Sequence, residues 1–298
     1  MISPWSKTRT SFWRAVNTVV ILTILLVLGG CVRIPLNEDV LFQPKESVTL
    51  GSFAHADAAL EEVFFESVDG TRINAWYLSR PDARATVLFF GGYGFYLVQS
   101  RPYLDHFLEQ EVNVLLVDYR GYGRSEGQPS VPALKQDAVR AWETLTQDLN
   151  ADPATVIVHG HSLGTFMAMY VAEQHEAAAL VLENPATSAE DWVRVAVPWY
   201  LRLIVSFDIA ESFRTEDNLA RIETVEEHLL LFAGQEDMIT PPSMAQQLHD
   251  VASVARSREL VLIEGGSHPD LYEFHAYGVA YRRLVNRLSP ATAISLYQ

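Results

Sequence analysis

Residues 160–164 form the pattern G-x-S-x-G, which is typical of a nucleophilic serine held on a sharp turn between a strand and a helix. The apolar residues 154–159 predict a buried strand before Ser162, and residues 165–174 predict a helix after it. Such a turn exposes the serine hydroxyl and leaves the next backbone N–H free to stabilise an oxyanion. We expect the two glycines to be required because side chains there would collide with the neighbouring strand and helix. An incidental glycine-rich turn is the alternative.

A serine nucleophile needs a histidine base and an acid that orients the histidine. His268 is the candidate base because it lies in a glycine-containing loop after the apolar residues 260–263. Asp237 is the candidate acid because it follows the apolar residues 228–233. Glu236 is its close rival, and an aspartate that merely caps the next helix is the other alternative. The chain order serine, acid, histidine is the order expected when such a site is built on a parallel sheet.

The oxyanion donors are expected at two backbone positions. One is the N–H of Leu163, directly after the serine. The other lies in the loop at residues 91–94, which follows the apolar residues 86–90 and contains three glycines that permit close backbone approach. We favour the N–H of Tyr93 over that of Gly92. A tight structural turn is the alternative interpretation of this loop.

These residues predict acyl transfer in two steps. Neutral His268 would take the proton of Ser162, while Asp237 would fix the histidine tautomer and stabilise the imidazolium. An acyl-enzyme would form, and water would then release it.

The first 30 residues have the layout of an export signal. Lys7, Arg9 and Arg14 precede an almost wholly apolar run, and the segment contains no acidic residue. It ends in residues 28–31, L-G-G-C, which resemble the lipobox of bacterial lipoproteins, and Cys31 is the single cysteine of the chain. Residues 1–30 are therefore predicted to be a lipoprotein signal peptide, with Cys31 lipidated and the protein anchored in a bacterial cell envelope. An uncleaved signal anchor and a plain signal peptide are the alternatives.

The remaining chain divides into a tether at residues 31–60 and one domain at residues 61–298. Two β-rich runs at residues 61–67 and 71–79 predict a hairpin, because Asp69-Gly70 between them is a turn signal. Further on, continuous apolar runs alternate with helical stretches, which predicts an α/β fold with a mainly parallel sheet covered by helices on both faces. The predicted strands are residues 86–90, 112–117, 155–158, 179–182, 228–232 and 260–263, and the predicted helices are residues 131–149, 165–174, 242–251 and 271–288.

Residues 186–226 interrupt this alternation and are predicted to form a small helical cap. Their aromatic side chains include Trp192, Trp199 and Tyr200. These side chains either line an acyl pocket or only close the hydrophobic core.

Composition excludes some classes of function. The formal net charge is −15, and no cluster of Lys and Arg is present that could bind phosphates, so a nucleic-acid partner is not expected. The histidines lack the spacing of metal ligands, so we expect neither a metal nor a cofactor.

Taken together, the site residues resemble the α/β-hydrolase superfamily over about residues 61–288. Residues 118–125 are similar to the D-x-R-G-x-G-x-S segment that many of its esterases and S33-type peptidases carry, where the segment is structural. The chain is similar to the branch that contains Bem46-like and ABHD13/17-like proteins, which are membrane-associated and include acyl-protein thioesterases. It departs from that branch at Gly91, where a histidine is usual. Serine at position 162 excludes the superfamily's dehalogenases and epoxide hydrolases, which use an aspartate nucleophile.

The expected function is that of a membrane-anchored serine hydrolase that cleaves acyl esters or thioesters. An S33-like peptidase and a non-catalytic binding lipoprotein are the alternatives. The pattern leaves open the acyl chain length, the leaving group and the oligomeric state.

Overall fold

The structure, a computed structural model, describes residues 32–36, 58–95, 97, 100–196 and 205–289. The predicted signal segment, Cys31, Trp199 and Tyr200 lie outside the described residues.

The described chain is built around an eight-stranded sheet with the order β10-β9-β7-β6-β4-β5-β3-β2. Strands β2 and β3 form the antiparallel hairpin that Asp69-Gly70 predicted, and β3 pairs antiparallel with β5. The remaining neighbours pair in parallel. A separate two-stranded parallel sheet joins β1 to β8. The strands are β1 Val32–Leu36, β2 Ala59–Glu66, β3 Arg72–Ser79, β4 Ala85–Phe90, β5 Val112–Val117, β6 Val156–His161, β7 Ala179–Glu183, β8 Val205–Ile209, β9 His228–Gly234 and β10 Ser257–Ile263.

Helices cover both faces of the large sheet. They are α1 Arg101–Glu109, α2 Val131–Glu143, α3 Gly164–Gln174, α4 Ala189–Ala196, α5 Glu211–Arg214, α6 Asn218–Ile222, α7 Pro242–Val251 and α8 His275–Leu288. Helix α2 continues into a π-helical turn at Thr144–Asp148, and a 3₁₀ turn at Leu271–Glu273 precedes α8.

Successive residues of the central strands enter two hydrophobic cores, one on each face of the sheet. On β4, Leu88 and Phe90 pack in the core that contains α2, α3 and α7, whereas Val87 and Phe89 pack in the core that contains α1 and α8. Every residue of β4 and β6 is buried. The strands therefore read as continuous apolar runs, because side chains on both faces are removed from water. The predicted α/β fold with helices on both faces is confirmed.

Helix α1 was not predicted. Its buried residues Tyr103, Leu104, Phe107 and Leu108 have the spacing of an apolar helical face, so the signal was present in the sequence. Pro102 near the helix start fits the same interpretation, since proline is tolerated in the first helical turn.

The predicted tether and cap are joined by strand pairing. Strand β1 lies within residues 31–60, which were predicted to be a tether, and pairs in register with β8, from Val32 with Val205 to Leu36 with Ile209. Strand β8 belongs to residues 186–226, where only helices were predicted. Within the described part of the chain, no helix is both long enough and apolar enough to cross a bilayer.

Candidate active site

Ser162 occupies a tight turn between β6 and α3. Its backbone has φ +52°, a left-handed conformation that non-glycine residues rarely adopt. The Ser162 N–H donates to the Glu183 carbonyl of β7 at 2.9 Å, and the Ser162 carbonyl accepts from Thr165 N at 3.0 Å. Strain of this kind costs about 1–3 kcal/mol and persists where surrounding contacts hold it. The turn therefore fixes the serine at the carboxyl edge of the sheet.

The two glycines of the turn are sterically required, as predicted. A Cβ at Gly160 would lie 2.4 Å from the carbonyl oxygen of Gly164. A Cβ at Gly164 would lie 2.1 Å from the carbonyl oxygen of Phe90, at the end of β4. In both cases backbone atoms obstruct the position, so any larger residue would push the serine away from the strands that hold it.

Two hydrogen bonds in series join Ser162 to His268 and His268 to Asp237. Nε2 of His268 is 2.8 Å from Oγ of Ser162, and Nδ1 of His268 is 2.7 Å from Oδ2 of Asp237. The three residues follow β6, β10 and β9, so the carboxyl ends of parallel strands bring them together. This is the geometry in which a histidine can take a serine proton while a carboxylate holds its tautomer.

Asp237 is held by the turn that follows β9. Its Oδ1 accepts from the backbone N–H groups of Ile239 at 2.7 Å and Thr240 at 2.9 Å. Burial raises the pKa of Asp237, but the hydrogen bonds from His268 and from these N–H groups outweigh burial and hold the pKa below its ordinary value. The carboxylate form is therefore favoured beside the histidine. Glu236, the rival acid, is exposed to solvent, and His268 contacts Asp237 instead.

Two side chains that the sequence did not single out hold the loop of His268. Asn184, directly after β7, donates from Nδ2 to the carbonyl oxygens of Ser267 at 3.1 Å and His268 at 2.9 Å. Its Oδ1 accepts from Gly234 N at 2.9 Å. His161 donates from Nε2 to the same His268 carbonyl at 3.0 Å. The histidine loop is thus fixed to β6 and to the carboxyl end of β7.

We expect Asn184→Ala to lower the turnover number at least tenfold. The buried Asn184 side chain makes three hydrogen bonds, two of them to the His268 loop, and an unpaired buried partner costs about 1–3 kcal/mol, so the loop should lose its fixed position. Turnover is measured well below the melting temperature. Asn74→Ala is the matched control, because Asn74 is equally buried but bonds Glu62 on the hairpin. Equal losses of turnover in both variants would contradict a specific role for Asn184.

The expected oxyanion donors border the serine. Leu163 and Tyr93 both line the pocket beside Ser162. Within the described residues, neither the Leu163 N–H nor the Tyr93 N–H donates to a protein acceptor in the surrounding turns. At Gly92, a Cβ would lie 3.2 Å from Cβ of Ser162 and 2.9 Å from Nδ1 of His161. Close approach therefore explains the glycine at position 92.

The segment at residues 118–125 holds this loop in place. The Tyr119 hydroxyl donates to the Gly91 carbonyl at 2.7 Å, and Oδ1 of Asp118 accepts from Leu97 N at 3.0 Å. Burial raises the pKa of Asp118 to about 6, against the lowering effect of the Leu97 N–H. The segment has the structural role that the resemblance implied, and its contacts bracket the loop that carries Tyr93.

A buried carboxylate lies beneath the serine turn. Glu183 is fully buried, and its oxygens contact Nε2 of His159 at 3.2 Å, the hydroxyl of Tyr277 at 2.8 Å and the hydroxyl of Tyr103 at 3.3 Å. Burial raises the pKa of Glu183, but hydrogen bonds from its partners outweigh burial and lower the pKa. Since Glu183 also accepts the Ser162 N–H through its backbone, it connects the turn to α1 and α8.

An apolar pocket opens beside Ser162. Its empty space is about 390 Å³, part of it open solvent. Trp192 of the cap lines the pocket and also packs against the hydrophobic core, so it fits both interpretations of the cap aromatics. Trp199 and Tyr200 lie outside the described residues. The lining residues are Tyr93, Ser162, Leu163, Phe166, Ala186, Trp192, Phe213 and Thr240. Among the residues that the structure describes, no group of His, Cys, Asp or Glu side chains could hold a metal ion.

Sequence comparisons relate the chain to hydrolases. The family model described as "Serine aminopeptidase, S33" matches residues 81–223. The uncharacterized protein Rv2307c of Mycobacterium tuberculosis is 33% identical over 213 residues, which covers 70% of this chain and 72% of that protein. The alpha/beta hydrolase domain-containing protein WAV2 of Arabidopsis thaliana is 27% identical over 83% of this chain and 86% of its own length. The bem46 protein of Schizosaccharomyces pombe is 30% identical over 60% of each chain.

Solved structures share the fold. The Pyrococcus furiosus esterase Pf2001 superposes with a TM-score of 0.65 at 17% identity, covering 82% of this chain and 98% of the esterase. Acetyl xylan esterase 1 from Thermoanaerobacterium superposes with a TM-score of 0.60 at 17% identity, covering 80% of this chain and 86% of that chain. At this level of identity the likeness concerns the fold alone.

Proposed function

Because the chain belongs to the α/β-hydrolase family, we propose that it is a serine hydrolase that cleaves acyl esters or thioesters through Ser162, His268 and Asp237. The observation that carries this proposal is the unbroken series of contacts from Ser162 Oγ to His268 at 2.8 Å and from His268 to Asp237 at 2.7 Å. Each group has the partner that its part of the reaction requires.

The reaction begins when Nε2 of His268 takes the Ser162 proton as Oγ attacks the acyl carbonyl carbon. The Asp237 carboxylate stabilises the resulting imidazolium at Nδ1. The imidazolium then gives its proton to the departing alcohol or thiol, which leaves the acyl group on Ser162. A water molecule then gives a proton to His268 as its oxygen attacks the acyl carbon of the acyl-enzyme. When the bond between that carbon and Oγ breaks, the imidazolium returns the proton to Oγ of Ser162 and the acid is released.

The negative charge that develops on the carbonyl oxygen needs donors fixed in advance. The N–H of Leu163 is one, and the N–H of Tyr93 is the other. The bonds from Tyr119 and Asp118 that bracket the Gly91 loop support the second assignment, because they restrict the backbone that carries Tyr93. Loss of one such donor typically costs about 10²–10³ in turnover.

The composition of the pocket supports an acyl substrate. Leu163, Phe166, Trp192 and Phe213 place apolar surface against the nucleophile. Burial of an acyl chain there would stabilise the bound substrate by about 25 cal/mol for each Å² of apolar surface removed from water.

A peptidase of the same fold is the second candidate, because the matching family model is that of a serine aminopeptidase. Recognition of a peptide amino group would need a carboxylate in the pocket. Among the lining residues that the structure describes there is none. Glu216 of the cap is buried and paired with Lys135 and Arg221, and Asp191 bonds Thr187 and Arg194. These contacts favour the ester or thioester assignment.

A substrate panel distinguishes the two candidates. We expect p-nitrophenyl esters and acyl thioesters to be hydrolysed and aminoacyl anilides to be left intact, because the pocket offers apolar surface but no carboxylate. Preference for aminoacyl anilides over every ester would assign the protein to the peptidases. The absence of turnover on all three substrate classes would favour a non-catalytic binding protein.

We further propose that Cys31 is lipidated and anchors the enzyme in a bacterial cell envelope. The apolar run before L-G-G-C and the single cysteine support this assignment. Cleavage before Cys31 would remove Lys7, Arg9 and Arg14 but no acidic residue, so the formal charge would change from −15 to −18. This charge would disfavour electrostatic attraction to anionic headgroups, so the acyl chains must supply the attachment.

Replacing Cys31 by serine is expected to move the protein from the membrane fraction to the soluble fraction. Hydrolysis of a soluble ester should change less than twofold, since Cys31 lies outside the described catalytic region. Fractionation followed by immunoblotting measures the first effect, and an ester assay measures the second. Retention of the Cys31→Ser variant in the membrane would favour an uncleaved signal anchor.

A further inference from the structure

Four exposed apolar side chains belong to segments that line the Ser162 pocket. Met238 is 87% exposed, Ile239 is 48% exposed and Tyr93 is 56% exposed. Val195, one helical turn after the pocket-lining Trp192, is also exposed. These four residues, here called the apolar rim, belong to three different segments. Exposed apolar groups gathered at a site mark an interaction surface.

The turn at Asp237 forces part of the rim outward. Oδ1 of Asp237 accepts from the N–H groups of Ile239 and Thr240, so the backbone folds around the carboxylate. Asp237 and Thr240 are buried by this turn, whereas Met238 and Ile239 between them face solvent. The position of the catalytic acid therefore fixes the position of the exposed pair.

The predicted membrane anchor joins the molecule on the cap. Cys31 is bonded to Val32, which pairs with Val205 at the start of β8. Strand β8 ends at Ile209, about 13 Å further on at 3.3 Å per residue. Phe213 lines the pocket four residues later. An anchor on Cys31 would consequently hold the cap next to the bilayer.

The charges near the rim favour a zwitterionic lipid surface over an anionic one. Arg194 and Arg214 on the cap helices have carboxylate partners at i−3, Asp191 and Glu211. Glu236, beside the rim, is exposed. Within the described residues the rim therefore offers apolar contact without excess positive charge.

From these observations we infer that the apolar rim docks on a zwitterionic membrane surface, so that the pocket opens toward the bilayer and receives acyl groups presented there. The inference rests on the proposed function, in particular on lipidation of Cys31. The apolar rim sets the orientation of the enzyme on the membrane, and the lipid on Cys31 attaches the enzyme to it. The substrate class is accordingly an acyl ester or thioester held at a membrane surface.

Single-site labelling of the lipidated full-length protein tests this orientation. Because lipidation blocks Cys31, Met238→Cys introduces the one free thiol, which takes a bimane fluorophore. Val254→Cys is the matched control, since Val254 is 51% exposed but precedes the amino end of β10, whereas Met238 follows the carboxyl end of the neighbouring parallel strand β9. Both proteins are placed in phosphatidylcholine vesicles that contain a phosphatidylcholine with a spin label on its acyl chain.

We expect quenching of the bimane at position 238 to be at least twofold stronger than at position 254. Equal quenching at both positions would overturn the docking of the rim. Soluble p-nitrophenyl butyrate is assayed on the same samples, so that loss of catalysis is seen separately. Labelling of the parent protein at Cys31 would show that the thiol is not lipidated, and would overturn the inference because the anchor would be absent.

A second measurement uses hydrolysis itself. The double variant Met238→Ser, Val195→Ser is expected to hydrolyse a vesicle-borne long-chain ester about tenfold more slowly, with p-nitrophenyl butyrate hydrolysis changed less than twofold. Val254→Ser should match the parent on both substrates. Equal rates of the double variant and the parent on the vesicle-borne ester would contradict the inference.

Discussion

Replacing Ser162 by alanine is expected to lower ester turnover by about 10⁴-fold or more, the scale of loss when a serine nucleophile is removed. The reason is that no bond to the acyl carbon can form without Oγ, while the pocket and the oxyanion donors remain. The fold should persist, because the turn is held by backbone bonds of residue 162 to Glu183 and Thr165. Turnover of p-nitrophenyl butyrate measures the effect, with circular dichroism as the check on folding.

Ser243→Ala is the matched control for this variant. Ser243 is an exposed serine of α7, the helix that follows the Asp237 turn. Its replacement should change turnover less than twofold. If Ser162→Ala retained more than a tenth of the parent activity, another residue would have to be the nucleophile.

Asp237→Asn is expected to lower turnover by about 10⁴-fold, by analogy with the same change in a serine protease triad. An amide N–H directed at Nδ1 of His268 would hold the wrong tautomer, in which Nε2 carries a proton and cannot take one from Ser162. The asparagine oxygen can still accept from Ile239 N and Thr240 N, so the turn should remain folded.

Glu236→Gln distinguishes the two candidate acids. Glu236 is exposed, so the change should alter turnover less than twofold. Steady-state kinetics of both variants under identical conditions provide the comparison. A large loss in Glu236→Gln together with a small loss in Asp237→Asn would assign the orienting role to Glu236.

The sheet could be predicted because its strands are buried on both faces. Strand β5 and helix α7 have the predicted bounds, and β4 differs by one residue. Strand β6 begins and ends two residues later than the run 154–159 from which it was predicted, because Gly160 and His161 read as part of the turn, although both are buried in the strand. The positions of Ser162, Asp237 and His268 relative to strand ends followed from the same pattern.

The residues that hold the site could not be predicted in the same way. Asn184 and His161 reach the His268 carbonyl across 84 and 107 residues of sequence, so no local pattern marks them. Glu183 is the last residue of an apolar strand, and an acidic residue at a strand end is ordinarily predicted to be exposed to solvent. In the structure Glu183 is buried, and three side chains form hydrogen bonds with it. Their roles depend on contacts between strand ends that only the folded chain brings together.

The cap could be predicted from the sequence only in part. The density of aromatic residues at positions 186–226 marked a segment that is more than a surface loop, and Trp192 and Phe213 do line the pocket. The pairing of β8 with β1 was not predicted, because residues 32–36 and 205–209 are short and lie far apart in sequence. A two-stranded sheet of this kind has no periodic signature of its own.

Reaction with a fluorophosphonate probe tests whether Ser162 is an activated nucleophile, because such probes phosphonylate a serine only where a base activates it. We expect a single adduct, mapped to Ser162 by mass spectrometry of the digested protein and lost in Ser162→Ala. Slower labelling of Asp237→Asn at the same residue would agree with the role of the acid. Absence of any adduct in the folded parent protein, or an adduct on a different serine, would contradict the account.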